Sequence, residues 1–365
     1  MTDHVRYMRR ALRLAQRGRG KVSPNPLVGA VVVRGDEIVG EGAHLRVGGP
    51  HAEVNAFARA GDRTRGADLY VTLEPCSFHG RTPPCSEAVL EAGIKRLYCA
   101  MEDPDERVAG TSFDILRKAG LEVETGLCET EARQLNAAYI KHRTSGLPLV
   151  LLKLAQTIDG RIAAQGGDAR WITGEQARRH VHRWRTWVDA VIIGAGTVQA
   201  DDPQLTVRHV KGRNPRPIII DGRLRTSPNA QVYQRPGAIL VTGQQNTSDR
   251  LQSYAERGTE IWAFPAREGQ IDLRLPLARA AEEGMTTVLI EGGGNLAASA
   301  LRHRVVDQVQ LYLAPRLMGT GVEAIGDLGV EQAAQAIRLT AVRTRRLGHD
   351  LLYTAEVQYS CSPDS

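Results

Sequence analysis

His51, Cys76 and Cys85 offer one imidazole and two thiols, with no fourth protein ligand implied. That is the ligand set of a catalytic zinc site, which keeps one coordination position open for water. Glu53 follows His51 by two residues. On a helix starting there, its carboxylate reaches the open position without ligating the ion. Water is a poor nucleophile at neutral pH, and bound zinc lowers its pKa to about 7. These residues point to metal-assisted hydrolysis, with Glu53 moving the proton.

A lone His-x-Glu is common, and a pair of thiols is usually core filling. The weight lies in their order and in the proline before each cysteine, Pro75 and Pro84. The set matches the zinc deaminases of nucleobases, in which a non-ligating Glu shuttles protons. The general pattern spaces its cysteines by two residues, whereas Ser77 to Pro84 separate them here. A structural metal site would leave Glu53 and the open position unexplained.

The elements that must position these groups alternate in type. Val5, Met8, Leu12 and Ala15 give a helical stripe over 3–17, and Ser23-Pro24-Asn25-Pro26 is a rigid loop. Strands are predicted at 28–33, 68–73 and 96–100, with a hairpin turn at Gly35-Asp36 leading into Ile38-Val39. Helices are predicted at 52–60, 86–92 and 112–118, so all three ligands are expected at helix starts. A connecting helix at 126–141 leads to Ser145-Gly146-Leu147-Pro148, where the domain boundary is placed: 1–145 for the zinc chemistry and 146–365 for a second α/β domain. There, strands are predicted at 149–155, 190–193, 218–221, 238–242, 287–291 and 308–314, with helices at 175–188 and 295–302.

The second half carries two glycine-rich strand-to-helix turns, Gly194-Ala195-Gly196-Thr197-Val198-Gln199-Ala200 and Glu291-Gly292-Gly293-Gly294-Asn295. The first fits the loose dinucleotide pattern; tight turns use glycine anyway. The second leaves backbone N–H groups at a helix start, suited to phosphate. Two such turns in one domain suggest a dinucleotide phosphate cofactor better than either alone. Between them lies the basic stretch Arg178 to Arg185. Its Val181, Trp184 and Val188 form a buried stripe, so most of the charges are a solvated face. Arg185 with Arg208 can converge on a substrate phosphate.

Composition narrows the classes. The chain has 365 residues, 42% hydrophobic and 24% charged, ordinary for soluble domains. A net charge of +6 suits anionic ligands, but no block of Lys and Arg is dense enough for a nucleic-acid tail. A nucleic-acid deaminase with a fused binding module would show stacking aromatics in a basic groove, and the chain has only four Phe. Five cysteines at spacings that suggest no disulfide framework fit a reducing, cytoplasmic location. The start of the sequence shows no apolar leader, and no apolar run approaches 18 residues, so neither secretion nor a membrane span is expected.

With those residues in view, the chain resembles the bifunctional deaminase/reductase family of riboflavin biosynthesis. The likeness runs through Ser23 to Gly29, Pro50-His51-Ala52-Glu53, Glu74-Pro75-Cys76 and Thr82-Pro83-Pro84-Cys85, whose long cysteine spacing is that family's own. It continues through Thr157 to Arg161, Trp171 to Gly174, Gly196-Thr197-Val198, Ala200 to Pro203, Leu205 to Arg208 and Glu291 to Gly294. The resemblance implies a cytidine-deaminase-like three-layer domain and a dihydrofolate-reductase-like domain using NADPH. The first would hydrolyse an exocyclic amine on a diaminopyrimidinone carrying ribose phosphate, and the second would reduce the ribose to ribityl.

The resemblance also implies His51, Cys76 and Cys85 as ligands of one zinc ion, Glu53 as proton shuttle, and Asn25 and Arg81 as contacts to the first substrate. NADPH positions would be Ala155, Trp171, Thr197, Asp201, Gly222 and the run Gly293, Gly294, Asn295, Leu296, Ala297, Ala298, Ser299. Reductase substrate positions would be Lys153, Ala169, Arg185, Leu205, Arg208 and Glu291, with Lys153 and Glu291 as candidates to orient or protonate. A homo-oligomer, dimer or tetramer, is expected, with no nucleic-acid or membrane partner. The sequence departs from the family's usual residues at Phe78 (a His), Ala169 and Gly222 (each a Ser), Asp105-Glu106 (Asn-Pro) and Ser112 (a Gly).

Overall fold

Strand β1 (Gly29–Arg34) is buried on both sides, so helices must cover both faces of its sheet. Ala30 and Val32 pack with Ala52, Ala56, Ala60, Val89 and Leu116; Val31 and Val33 pack with Tyr7, Met8, Ala11, Ala132 and Tyr139. The computed structural model describes residues 4–78, 83–106 and 108–359. The chain divides into two units, Met1–Gly146 and Leu147–Ser365.

The first unit runs α1 (His4–Ala15), β1, β2 (Glu37–Ala43), α2 (Ala52–Ala60), β3 (Asp68–Val71), α3 (Cys85–Glu91), β4 (Arg96–Cys99), α4 (Thr111–Lys118), β5 (Glu122–Thr125), α5 (Glu129–Leu135) and α6 (Ala137–Ser145). Its sheet has the order β2-β1-β3-β4-β5, with β1 antiparallel to β2 and β3 and the rest parallel. Helices α1, α5 and α6 lie on one face and α2, α3 and α4 on the other. This is the expected three-layer arrangement. Helix α2 rests directly on β2: a Cβ at Gly42 would collide with the Ala52 carbonyl oxygen, and one at Gly40 with that of Ala56.

Two local readings differ from the expectation. The helix predicted over 126–141 is two helices, because Asn136 turns inward at their junction. Its amide accepts from Leu27 N–H (2.8 Å) and donates to Leu27 C=O (3.0 Å). Strand β5 was not expected; its exposed face carries Glu122 and Glu124 and shows no apolar run.

The second unit continues with β6 (Leu149–Thr157), β7 (Arg161–Ala164), α7 (Glu175–Trp187), β8 (Ala190–Gly194), α8 (Ala195–Asp201), β9 (Arg216–Ile220), β10 (Ile239–Gly243), α9 (Ser248–Ala255), β11 (Glu260–Phe264), β12 (Ala266–Arg267), β13 (Gln270–Ile271), α10 (Arg274–Glu282), β14 (Thr287–Glu291), α11 (Gly294–Arg302), β15 (Gln308–Ala314), β16 (Gly321–Glu323), β17 (Arg338–Leu347) and β18 (Asp350–Gln358). A nine-stranded sheet has the order β11-β10-β9-β8-β14-β6-β15-β18-β17. From β11 to β15 it is parallel, and its strands are near-continuous apolar runs because helices cover both faces. The antiparallel ribbon β17–β18 closes one edge, and nine of the ten residues of β17 are exposed, which hid it from apolar patterning.

Candidate active sites

His51 precedes the first residue of α2 in an extended conformation and uses no side-chain atom to cap the helix. Cys85 opens α3. Cys76 does not begin a helix, contrary to expectation; it lies in the loop after β3 and is held by α3. The Cys85 amide donates to Cys76 Sγ (3.3 Å), and the Ser86 amide donates to Cys76 C=O (3.1 Å). These two bonds tie the Cys76 loop to the start of α3 and bring both thiols together. The imidazole Nδ1 lies 3.0 Å from Cys85 Sγ and 3.6 Å from Cys76 Sγ, and the three ligand atoms fall within 4.8 Å of one another. Two sulfurs and one nitrogen at these separations fit a tetrahedral zinc ion with one position left for water. Between themselves the thiols divide a proton: the hydrogen bond from Cys85 lowers Cys76 to about 4, and the same pairing with burial raises Cys85.

Glu53, on the first turn of α2, is 3% exposed. Its Oε2 is buried with no hydrogen-bond partner among the described residues, and burial raises the carboxyl's pKa. A buried carboxylate oxygen without a partner is costly and marks a place where a ligand or water completes the group. A cavity of about 360 Å³ opens onto Glu53, His51 and Cys76, with Asn25, His44, Phe78, Asp103, Asp105, Tyr139 and Arg143 in its walls.

The pieces around it are tied together. His44 Nδ1 donates to Pro50 C=O (3.2 Å), so its Nε2 accepts from the Asn25 amide (3.1 Å). Glu74 is no ligand. Its Oε2 accepts from the Asp103 and Gly110 amides, and its Oε1 from the Ser112 amide and hydroxyl, at 2.8–3.2 Å. That carboxylate pins the segment presenting Asp103 and Asp105. Burial lifts Asp103 to about 6, and Tyr139 donates to it at 3.0 Å. Sequence reasoning missed His44, Tyr139 and Arg143; no local pattern marks them. Arg81 lies outside the described residues, as does His79, the neighbour expected to stand in for the His that Phe78 replaces. Phe78 forms part of the cavity wall.

In the second unit the two glycine turns are neighbours, because β8 and β14 pair in parallel and Ile192 faces Ile290. They stand at the carboxyl end of the strands, where open α/β sheets bind ligands. Gly293 precedes α11 and no side chain caps its first turn, so the backbone N–H groups there remain available to a cofactor phosphate. Thr197 is half-buried on α8, Ala155 is half-buried on β6, and Asp201 and Asn295 are exposed. Trp171 is 60% exposed, with the Arg178 guanidinium 4.4 Å from its ring centre. These residues fit an NADPH site.

Several of the expected contact residues are buried or apolar. Leu296, Ala297 and Ala298 are buried, with the Leu296 side chain against Gly194 and Gly292 of the two glycine turns, whereas Ser299 is half-buried. Leu205 likewise packs with Val188, Val191 and Ile193. Gly222 is itself buried against Gly269, whose carbonyl oxygen occupies the space a Cβ would need. Ala169, half-buried, brings no hydroxyl.

Lys153 and Glu291 face each other on adjacent strands β6 and β14, Nζ to Oε2 3.9 Å. Arg185 donates to Glu291 through Nε (2.7 Å) and Nη2 (2.9 Å) and to Thr206 C=O through Nη1 (3.0 Å). Each of the three donor nitrogens therefore has one partner inside the protein. Through Thr206 it supports the loop that carries Arg208, together with His182, whose Nδ1 accepts from the Arg208 amide (3.1 Å). The Arg208 side chain is exposed. Burial raises Glu291, but Arg185 and Lys153 outweigh it and hold the carboxyl at about 2; burial lowers Lys153.

Fold and site define a zinc-dependent deaminase unit followed by a reductase unit. Residues 1–101 match the family model of the cytidine and deoxycytidylate deaminase zinc-binding region, and residues 148–353 that of the RibD C-terminal domain. The chain belongs to the RibD family. It is 40% identical over 357 residues to the riboflavin biosynthesis protein RibD of Actinobacillus pleuropneumoniae, covering 96% of this chain and 94% of that one. To RibD of Escherichia coli K12 it is 39% identical, covering 94% and 97%. A solved structure of Acinetobacter baumannii RibD superposes with a TM-score of 0.89 at 36% identity, covering 98% of this chain and 99% of that one. A Thermotoga maritima structure, described as a diaminohydroxyphosphoribosylaminopyrimidine deaminase/5-amino-6-(5-phosphoribosylamino)uracil reductase, gives 0.83 at 33%, covering 97% and 99%.

Proposed function

We propose that this chain is the bifunctional enzyme of riboflavin biosynthesis. Its first half removes the exocyclic amine from 2,5-diamino-6-ribosylamino-4(3H)-pyrimidinone 5′-phosphate, and its second reduces the ribosyl to a ribityl chain. The observation that carries the reading is the buried, unpartnered Glu53 Oε2 beside the His51–Cys76–Cys85 cluster. When bound, zinc supplies an acidified water and NADPH a hydride. His51, Cys76 and Cys85 hold the ion. Glu53 takes the water proton at Oε2 and returns it to the departing ammonia, a task suited to a carboxyl whose pKa burial has raised. The walls of the cavity, Asn25 included, orient the ring.

In the reductase half, the ribosylamine opens to an imine, whose nitrogen needs a proton as its carbon is reduced. Lys153 is the proton donor: burial lowers its pKa towards the working range. Glu291, held ionised by Arg185, is not an acid but fixes the lysine. Gly194 to Asp201 and Gly293 to Ser299 receive the cofactor. The protein acts in the cytoplasm as a homo-oligomer; the almost wholly exposed edge strand β17 and the exposed Leu339 and Val342 on it supply a surface for self-pairing. The test gives purified protein the diaminopyrimidinone phosphate and NADPH, and measures ammonia and cofactor oxidation together. Release of ammonia without oxidation, or neither, overturns the reading.

A further inference from the structure

Helix α6 builds one wall of the deaminase cavity with two residues a turn apart, Tyr139 and Arg143. Tyr139 is bound inward, donating to Asp103. Arg143 is held loosely: its Nε stands 3.7 Å from Asp105 Oδ2, and its guanidinium lies 5.4 Å from the Tyr139 ring centre. Neither terminal nitrogen donates to a described residue. The described lining holds four acidic residues, Glu53, Glu74, Asp103 and Asp105, beside the imidazoles of His44 and His51, and Arg143 is its only Lys or Arg. The cavity also runs from a buried floor to a wetter rim. Glu53 is 3% exposed, whereas the Arg143 side chain is 30% exposed.

We propose that Arg143 anchors the substrate's phosphate in the deaminase half; this rests on the reading above that the substrate carries ribose phosphate. A dianion entering among four carboxylates is repelled, and the open position of the metal is needed for water. A cation elsewhere in the cavity must therefore compensate. A guanidinium with both terminal nitrogens free meets phosphate through paired N–H···O bonds. Its place at the rim leaves the phosphate partly hydrated while the ring lies over Glu53. Asp105, where the family usually has Asn, holds the guanidinium in the wall before the substrate arrives.

The test compares kcat/KM for ammonia release from the phosphorylated substrate with that from its dephosphorylated form, in wild type, Arg143→Gln and Arg143→Lys. The ratio of the two measures what the phosphate contributes, and a purely structural role for Arg143 would leave it unmoved. Charge-assisted bonds of this kind predict a fall of about tenfold or more in the ratio for Arg143→Gln. The lysine variant, which keeps the charge but not the paired donors, should fall between wild type and Arg143→Gln. An unchanged ratio in active Arg143→Gln enzyme overturns the inference alone. A wild type that releases no ammonia from the phosphorylated compound overturns the functional reading and the inference with it.

Discussion

Arg185 grips Glu291 through two parallel hydrogen bonds, 2.7 and 2.9 Å, although 106 residues separate them. The contact joins helix α7 to the end of β14, and Lys153 Nζ stands 3.9 Å from the same carboxylate. Glu291→Gln should therefore lower NADPH oxidation by about a hundredfold or more while ammonia release survives. Disrupting a buried ion pair costs about 3–5 kcal/mol, and the amide, which still accepts one bond, should fall at the low end. Intact oxidation would end the assignment, and loss of both activities would end the independence of the two halves.

The same pair sets a pH dependence. Glu291 has a folded pKa of about 2, below its ordinary 4.5, so its contribution to stability is present above pH 4.5 and is lost as pH falls towards 2. Melting temperatures of wild type and Glu291→Gln should differ most at neutral pH, draw together below pH 4.5 and converge only near pH 2. A gap that stays constant across that range would mean the carboxylate is not held by its cations.

Cys76→Ser and Cys85→Ser should each lose zinc, read by metal analysis of the purified proteins. Their sulfurs stand 3.6 and 3.0 Å from His51 Nδ1, and a hydroxyl at either place is a poor ligand for the ion. A variant with full metal content and full ammonia release shows that its cysteine is not a ligand.

Glu53→Gln separates binding from proton transfer. The amide fits the same buried site and leaves the three ligands untouched, so zinc content should remain at the wild-type level. Ammonia release should fall by about a hundredfold to ten-thousandfold. A drop smaller than about tenfold would demote Glu53 to a structural residue.

Ser112→Ala removes the hydroxyl donor to Glu74 and leaves three backbone donors in place. The bond joins a fully buried hydroxyl to a buried carboxylate, so its loss should cost about 1–2 kcal/mol, visible as a lower denaturation midpoint of the first unit. An unchanged midpoint would show that the three amides suffice.

That serine illustrates where the sequence could be read and where it could not. The ligands and Glu53 were legible because their chemistry lies in residue type and short spacing, and α2 spans the predicted Ala52–Ala60 because its alanines alternate with polar residues at a helical period. Ser112 stood out only as a departure, and its reason is a carboxylate 38 positions earlier in the chain. Tyr139 and Arg143 reach the cavity because Asn136 breaks the preceding helix and turns α6, which depends on a bond to Leu27 that local patterning cannot contain. The Arg185–Glu291 pair was out of reach for the same reason: residue type reveals what a group can hold, while only the fold reveals which partner it has.

Glycines 40 and 42 give the metal corner its depth. Helix α2 carries His51 at its entrance and Glu53 on its first turn, and it touches the sheet through carbonyl oxygens at the two places where β2 has no side chain. The catalytic groups are thus set like a blade against a stop, and the stop is missing atoms. A single methyl group added to β2, behind the helix and outside the cavity, would lift the blade from its seat. Its effect would register as a fault in chemistry, although no group that touches water, metal or substrate had been exchanged.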